Sequence, residues 1–142
     1  MMICLAGLLV SSAVANPIHG EIEFDQFRQL KIREIQEQLR LVQEDPLDAT
    51  EYFNLGLAYM AMGRHRKEID AYLEAIRIDS SYAGAHFNLA VAYDILKNSE
   101  AAISHARRAE VLYGQKRKHR QVRQVRRYLN VLNEKYRFLK HK

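Results

Sequence analysis

Chemistry in this 142-residue chain would have to start from its histidines, its single cysteine and its carboxylates. The six histidines, His19, His65, His86, His105, His119 and His141, stand singly, and no two fall at ligand spacing on one helical face. Each is therefore read as solvated or packed rather than as a metal ligand. The sequence has no His-Glu-x-x-His, no glycine-rich phosphate loop and no nucleophile elbow. Its acidic residues are numerous but fall on faces expected to meet water. No catalytic residue, metal ligand or cofactor is assigned, and a protein that makes and breaks no bonds is expected.

The cysteine, Cys4, sits inside MMICLAGLLVSSAVA, an opening run that is small or apolar throughout and carries no charge. The run ends in Ala13-Val14-Ala15, the small-x-small pattern that a signal peptidase accepts, although no basic residue precedes it. It is shorter than the roughly 20 apolar residues a membrane-spanning helix needs. Residues 1–15 are expected to be a signal peptide cleaved near Ala15, leaving a periplasmic or secreted protein. A cytoplasmic chain with this run buried, or an anchor extended upstream, is the alternative. Cleavage would remove Cys4 and with it all disulfide chemistry.

Charge is unevenly placed. Residues 1–114 hold 11 Lys/Arg and 16 Asp/Glu, a net of −5, whereas residues 115–142 hold 11 Lys/Arg and only Glu134, a net of +10. Arg120, Arg123, Arg126 and Arg127 form the centre of the basic run. Such density attracts an acidic protein, anionic lipid or nucleic-acid phosphate, with an affinity that falls steeply with salt. Aromatic interleaving is limited to Tyr128, Tyr136 and Phe138, too little for a base-stacking platform. Export would also keep the chain away from nucleic acid, so that partner is disfavoured. The plain alternative is a solvated basic face.

The elements that must carry these residues are legible from a repetition. NLGLAY at residues 54–59 returns 34 residues later as NLAVAY at 88–93. With residues 49–82 laid over 83–116, Leu55 falls on Leu89, Gly56 on Ala90, Tyr59 on Tyr93, Ile69 on Ile103 and Ala75 on Ala109. A period of this length is that of stacked helix-turn-helix units. Leu55, Gly56, Tyr59, Gly63, Tyr72 and Ala75, followed by Leu89, Ala90, Tyr93, Ala102 and Ala109, resemble the tetratricopeptide repeat family. Departures are Glu68 in place of alanine, Ser80 and Gly114 in place of the closing proline, and His86 in place of a bulky aromatic. The resemblance implies an all-α, right-handed solenoid of antiparallel helix pairs. Residues 16–48 would form a flanking helix and partial repeat, 49–82 and 83–116 the two repeats, and 117–142 a basic capping helix.

Local signals agree. Asp48 with Glu51 reads as a capping box, and Gly63 suits the left-handed residue that ends a helix. In the second copy Asn98 is expected at that left-handed position and Ser99 as the N-cap of the return helix. Phe24, Phe27, Ile35, Leu39 and Val42 form one stripe on the first flanking helix, which Asp45-Pro46 should stop. Val122, Val125, Leu129, Leu132, Tyr136 and Leu139 form another on the last. Both flanking helices are expected to cap the solenoid ends. The spacing of the last stripe also permits a contact between two copies, a weak self-association.

The resemblance implies a concave face lined by the first helix of each repeat. The residues carried onto it are Thr50, Phe53, Asn54, Leu57 and Met60, then Phe87, Asn88, Val91, Asp94 and Ile95. Asn54 and Asn88 would bond the backbone of an extended peptide, and Phe53, Leu57, Met60, Phe87 and Val91 would supply apolar area. Alternatively, the flanking helices fill the groove and the asparagines only satisfy internal turns. Some family members clamp acidic C-termini with lysine and asparagine, but Phe53 and Leu57 stand where such a clamp needs polar groups. An exported adaptor that holds an apolar or mixed segment of a partner protein is expected.

Overall fold

The computed structural model describes the backbone of residues 17–139 and the side chains of residues 23–137. The expected signal segment, its cleavage point at Ala15, Phe138 and Leu139 as side chains, and His141 lie outside these. Among the described residues six helices follow one another: α1 (Pro17–Glu44), α2 (Ala49–Ala61), α3 (His65–Ile78), α4 (Ala83–Ile95), α5 (Ser99–Gln115) and α6 (His119–Leu139). Among the described residues there is no strand, and the chain is an α-solenoid of antiparallel pairs, α2 with α3 and α4 with α5, flanked by α1 and α6.

Three of the turns share one geometry. The amides of Arg64, Asn98 and Lys118 each donate to the carbonyl five residues back, on Tyr59, Tyr93 and Tyr113, all at 2.9 Å. The amides of Gly63, Lys97 and Arg117 close the inner bond, and these three residues have φ of 65°, 61° and 52°. This is the Schellman closure, which needs a left-handed residue. Gly63 supplies it as expected. In the second turn Lys97 does so instead of Asn98, because the Asn98 side chain is used elsewhere. Its Oδ1 accepts from the Ala101 amide at 3.2 Å, so Asn98 rather than Ser99 caps α5. Asp48 caps α2 by accepting from Thr50 N at 2.7 Å, but the expected capping box is not completed: the Asp48 amide donates to the Asp45 carbonyl at 3.3 Å, and Glu51 Oε2 is buried without a hydrogen-bond partner among the described residues.

Small residues set the helix spacing. A Cβ on Gly56 would lie 2.5 Å from Cδ1 and 2.9 Å from Cζ of Tyr72, so only glycine admits the tyrosine ring. In the second pair Ala90, Ala102, Ala106 and Ala109 are all fully buried in one cluster with Val125, Leu129, Leu132 and Tyr136 of α6. Val125, Leu129, Leu132 and Tyr136 of the α6 stripe are thus consumed within the chain, against α5 and α4, and are not open to a second copy. That settles where the coiled-coil spacing is spent. The stripe of α1 behaves differently. Ile35 is buried and Val42 packs beside it, against Leu55, Ala58 and Tyr59 of α2 and Ala71 of α3. Phe24, Phe27 and Leu39 on the same helix are exposed, so only the C-terminal half of α1 caps the solenoid.

Candidate functional site: the face of α2, α4 and α6

Helices α2, α4 and α6 lie side by side, with α3 and α5 behind them. Phe53 of α2 meets Tyr82 at the start of α4, ring centroids 4.9 Å apart, and Tyr72 of α3 at 5.6 Å. Phe87 of α4 meets Tyr128 of α6 edge-on at 5.7 Å. Both phenylalanines are half-buried, and they join one first helix to the next rather than standing free as groove lining. Sequence periodicity places a packing residue and a lining residue on the same face, and cannot separate them.

Asn88 Nδ2 donates to the Tyr72 hydroxyl at 3.2 Å, an internal bond that orients the tyrosine filling the space left by Gly56. Burial pushes the Tyr72 hydroxyl well above the usual phenol range, the Asn88 bond opposing this, so Tyr72 is neutral and available to hydrogen-bond. Asn54 is half-buried one turn before Leu57. Asp94 is held by α6: its Oδ1 accepts from Lys135 Nζ at 2.5 Å and from Tyr136 Oη at 2.6 Å, and its Oδ2 from Tyr128 Oη at 3.3 Å. Burial raises the carboxyl, but the bonds from Lys135, Tyr136 and Tyr128 outweigh it and hold Asp94 below its ordinary range. The aspartate is a lock between α4 and α6.

What this leaves accessible is a shorter row than the sequence suggests. Leu57 and Val91 are half-buried at equivalent positions, while Met60 and Ile95 are exposed one turn further along α2 and α4. Thr50 is exposed at the start of α2. The row is apolar, and its one carboxylate, Asp94, is already neutralised by Lys135.

The basic residues of α6 divide by direction. Val125, Leu129, Leu132 and Tyr136 point to the core, and Arg126, on the flank toward α5, pairs with Glu110 at 2.5 Å. Arg120, Arg123 and Arg127 are exposed on the side away from the core stripe, as helical periodicity requires. They form the outer surface of the solenoid end.

Two buried polar clusters escape the sequence reading. Glu68, expected on a solvated face, is fully buried, with Oε2 at 2.8 Å from His65 Nδ1. Burial raises its pKa, and the His65 contact opposes the rise. His86 and His105, read as solitary, face each other across α4 and α5 with Nδ1 atoms 3.0 Å apart, and Tyr93 stacks on His105 at 5.6 Å. Burial first, then the nearby His105 and Arg108 charges, depress His86 to about 4, although a bond to the Ser80 backbone favours its charged form. Burial lowers His105 as well. The pair is thus held neutral, with one ring donating to the other. Laying the two repeats over each other places His86 on Tyr52 and His105 on Ala71, two positions that pack inward. That overlay was the available sign. Among the described residues no group of three or more His, Cys, Asp or Glu is placed to hold a metal ion.

With this geometry in view, comparison with known proteins places the fold. A tetratricopeptide repeat model matches residues 52–82, and a domain of unknown function, DUF6340, matches residues 70–134. No curated protein matches the sequence. Among solved structures, the chain is similar to the type III secretion translocator chaperone SycD of Yersinia enterocolitica. Identity is 20%, 82% of each chain is covered, and the TM-score is 0.71. It is similar to PcrH in complex with the chaperone binding region of PopD, at 17% identity, 82% of this chain and 95% of that one, TM-score 0.68. It is similar also to the MamA protein, at 22% identity, 75% and 64% coverage, TM-score 0.55. The chain carries a tetratricopeptide repeat and folds as the solenoid of that family.

Proposed function

We propose that this tetratricopeptide-repeat protein is an interaction adaptor that captures an apolar or mixed segment of a partner protein on the face of α2 and α4. The observation that carries the reading is the row Leu57, Met60, Val91 and Ile95, accessible on helices that are otherwise spent on packing. The helices are formed before any partner arrives, so little ordering is required on this side, and a modest apolar contact suffices for affinity. Two repeats give a short groove, and an affinity of about micromolar for one short segment follows. The likeness to PcrH, solved with a region of PopD, supports the reading by showing what a similar solenoid holds. No bond is made or broken in this mechanism.

A displayed peptide library tests it. Segments with apolar residues should be enriched, and Leu57→Glu with Val91→Glu should abolish their capture while helix content is unchanged. Enrichment that survives those changes and vanishes with Arg120→Ala, Arg123→Ala and Arg127→Ala would transfer the function to α6. That second reading, an acidic protein or anionic surface on the outer face of α6, is favoured by the exposure of the three arginines. Its binding should collapse between low and moderate salt, whereas capture on the apolar row should persist.

Export belongs to the same proposal, supported by the apolar opening run and Ala13-Val14-Ala15. N-terminal sequencing of the protein from its own cells should return Asn16. Met1 on a soluble cytosolic chain would contradict it.

A further inference from the structure

The exposed half of α1 has the features of a self-complementary surface. Helix α1 runs for 28 residues and α2 for 13, about 42 Å against about 20 Å at the usual rise. Every residue from Glu23 to Leu30 is exposed, and the first buried one is Ile35. The stripe that seats Ile35 and Val42 on the solenoid therefore continues for about 20 Å beyond it. There it carries Phe24 at 64% and Phe27 at 45% exposure, and Leu30, at 58%, stands one turn beyond Phe27 on the adjoining flank rather than on the stripe itself. Two aromatic rings and a leucine within seven residues are the densest apolar exposure on the described surface.

The charges beside this stripe are ordered. Glu23 and Asp25 come first, then Arg28, Lys31 and Arg33. We propose that the overhang docks against the same overhang of a second copy, antiparallel about a two-fold axis near Phe27. In that register Phe24 of each copy lies opposite Leu30 of the other, Phe27 opposite Phe27, and Glu23 opposite Lys31. A parallel arrangement would set Glu23 beside Glu23 and Lys31 beside Lys31, so the charge order itself selects the antiparallel one. The rings are now shielded only by local cations, Arg28 over Phe24 at 5.7 Å and Lys31 over Phe27 at 5.9 Å. The local pairs, Arg28 with Asp25 and Lys31 with Glu34, are exposed and weakly held, so exchange for partners across the axis costs little. The contact leaves the face of α2 and α4 open on both copies, and the adaptor becomes bivalent.

Sedimentation equilibrium of the full-length chain tests this. A dimer is expected, and Phe24→Ser with Phe27→Ser should return it to monomer with unchanged helix content, since neither ring packs on the solenoid. Glu23→Lys alone, or Lys31→Glu alone, should weaken the dimer about tenfold, and the two together should restore it, because each contact joins Glu23 of one copy to Lys31 of the other. A chain that is monomeric at every concentration overturns the proposal, whatever else covers the face. So does a dimer indifferent to the serine changes, or a double reversal as weak as the singles. Peptide capture by the serine variant reports separately on the groove.

Discussion

Repeat 1 sets a glycine against a tyrosine, Gly56 beside Tyr72, where repeat 2 has two buried alanines, Ala90 and Ala106, at the equivalent positions. The first pair closes a ring against bare backbone and the second closes two methyls against each other, so the two pairs are packed with different contents. The same comparison extends to the polar interior. Repeat 1 buries Glu68 where repeat 2 has Ala102, and repeat 2 buries His86 where repeat 1 has Tyr52 and half-buries His105 where repeat 1 has Ala71. The backbone plan tolerates exchange of volume and of charge between the layers, provided each large or polar group has a small neighbour or a bonding partner.

Exchanging the small residues breaks that balance most severely. Gly56→Ala drives a methyl into the Tyr72 ring, which is fully buried and has nowhere to go, and should cost about 3 kcal/mol in urea unfolding. Ala90→Gly, the converse change in repeat 2, should cost only about 1 kcal/mol, mainly through helix propensity. In a Tyr72→Ala background Gly56→Ala should become nearly neutral, so the two changes couple.

The next effect concerns the face. Asp94 occupies the place that Met60 holds in repeat 1. Asp94→Met removes the acceptor of Lys135, Tyr128 and Tyr136 and should cost about 2 kcal/mol, with α6 loosened first in hydrogen exchange. Met60→Asp puts a charge on an exposed site and should cost less than about 0.5 kcal/mol.

Acid separates the repeats by sign. His86 and His105 have depressed pKa values in the folded chain, so the unfolded chain binds more protons below the ordinary value of 6.5. Their contribution is complete above that pH and is lost as pH falls below 6.5, for His86 down to about 4. Glu68 is raised, so the folded chain binds the extra proton, and stability due to it declines as pH climbs above 4.5. His86→Tyr with His105→Ala, the residues of repeat 1, should flatten the loss on acidification. Glu68→Gln removes the opposing slope and should steepen it. Melting temperature followed from pH 7 to pH 4 reads both. The smallest change is at the surface, where Glu110→Ala frees Arg126 and should cost no more than about 0.5 kcal/mol.

What could be read from the sequence followed from local and periodic constraints. The 34-residue spacing, Gly56, Gly63 and Asp48 each act through backbone geometry within one or two turns, and the structure places them as expected. Contacts between helices were harder. His86 and His105 lie on two different helices, so neither shows its partner within its own periodicity. Phe53 and Phe87 lie on the face expected of lining residues, but their rings are used against the next helix, which depends on inter-helix distance. The outer half of α1 looked like a cap because its stripe is continuous; it is bare because α2 is shorter, a fact of the neighbour rather than of α1. Lys97 displaced Asn98 from the left-handed position because an asparagine gains more as an N-cap.

Site-specific photo-crosslinking in the native cell addresses the central claim most directly, with the photoreactive residue placed in turn at Met60 and Ile95 and at Leu73 and Val111. All four side chains are exposed and apolar, the first pair on α2 and α4, the second on α3 and α5. Adducts to one partner segment from Met60 and Ile95, lost on Leu57→Glu with Val91→Glu and absent from Leu73 and Val111, are the predicted result. Equal labelling from all four positions, or labelling confined to the backing helices, would contradict capture on the α2–α4 face.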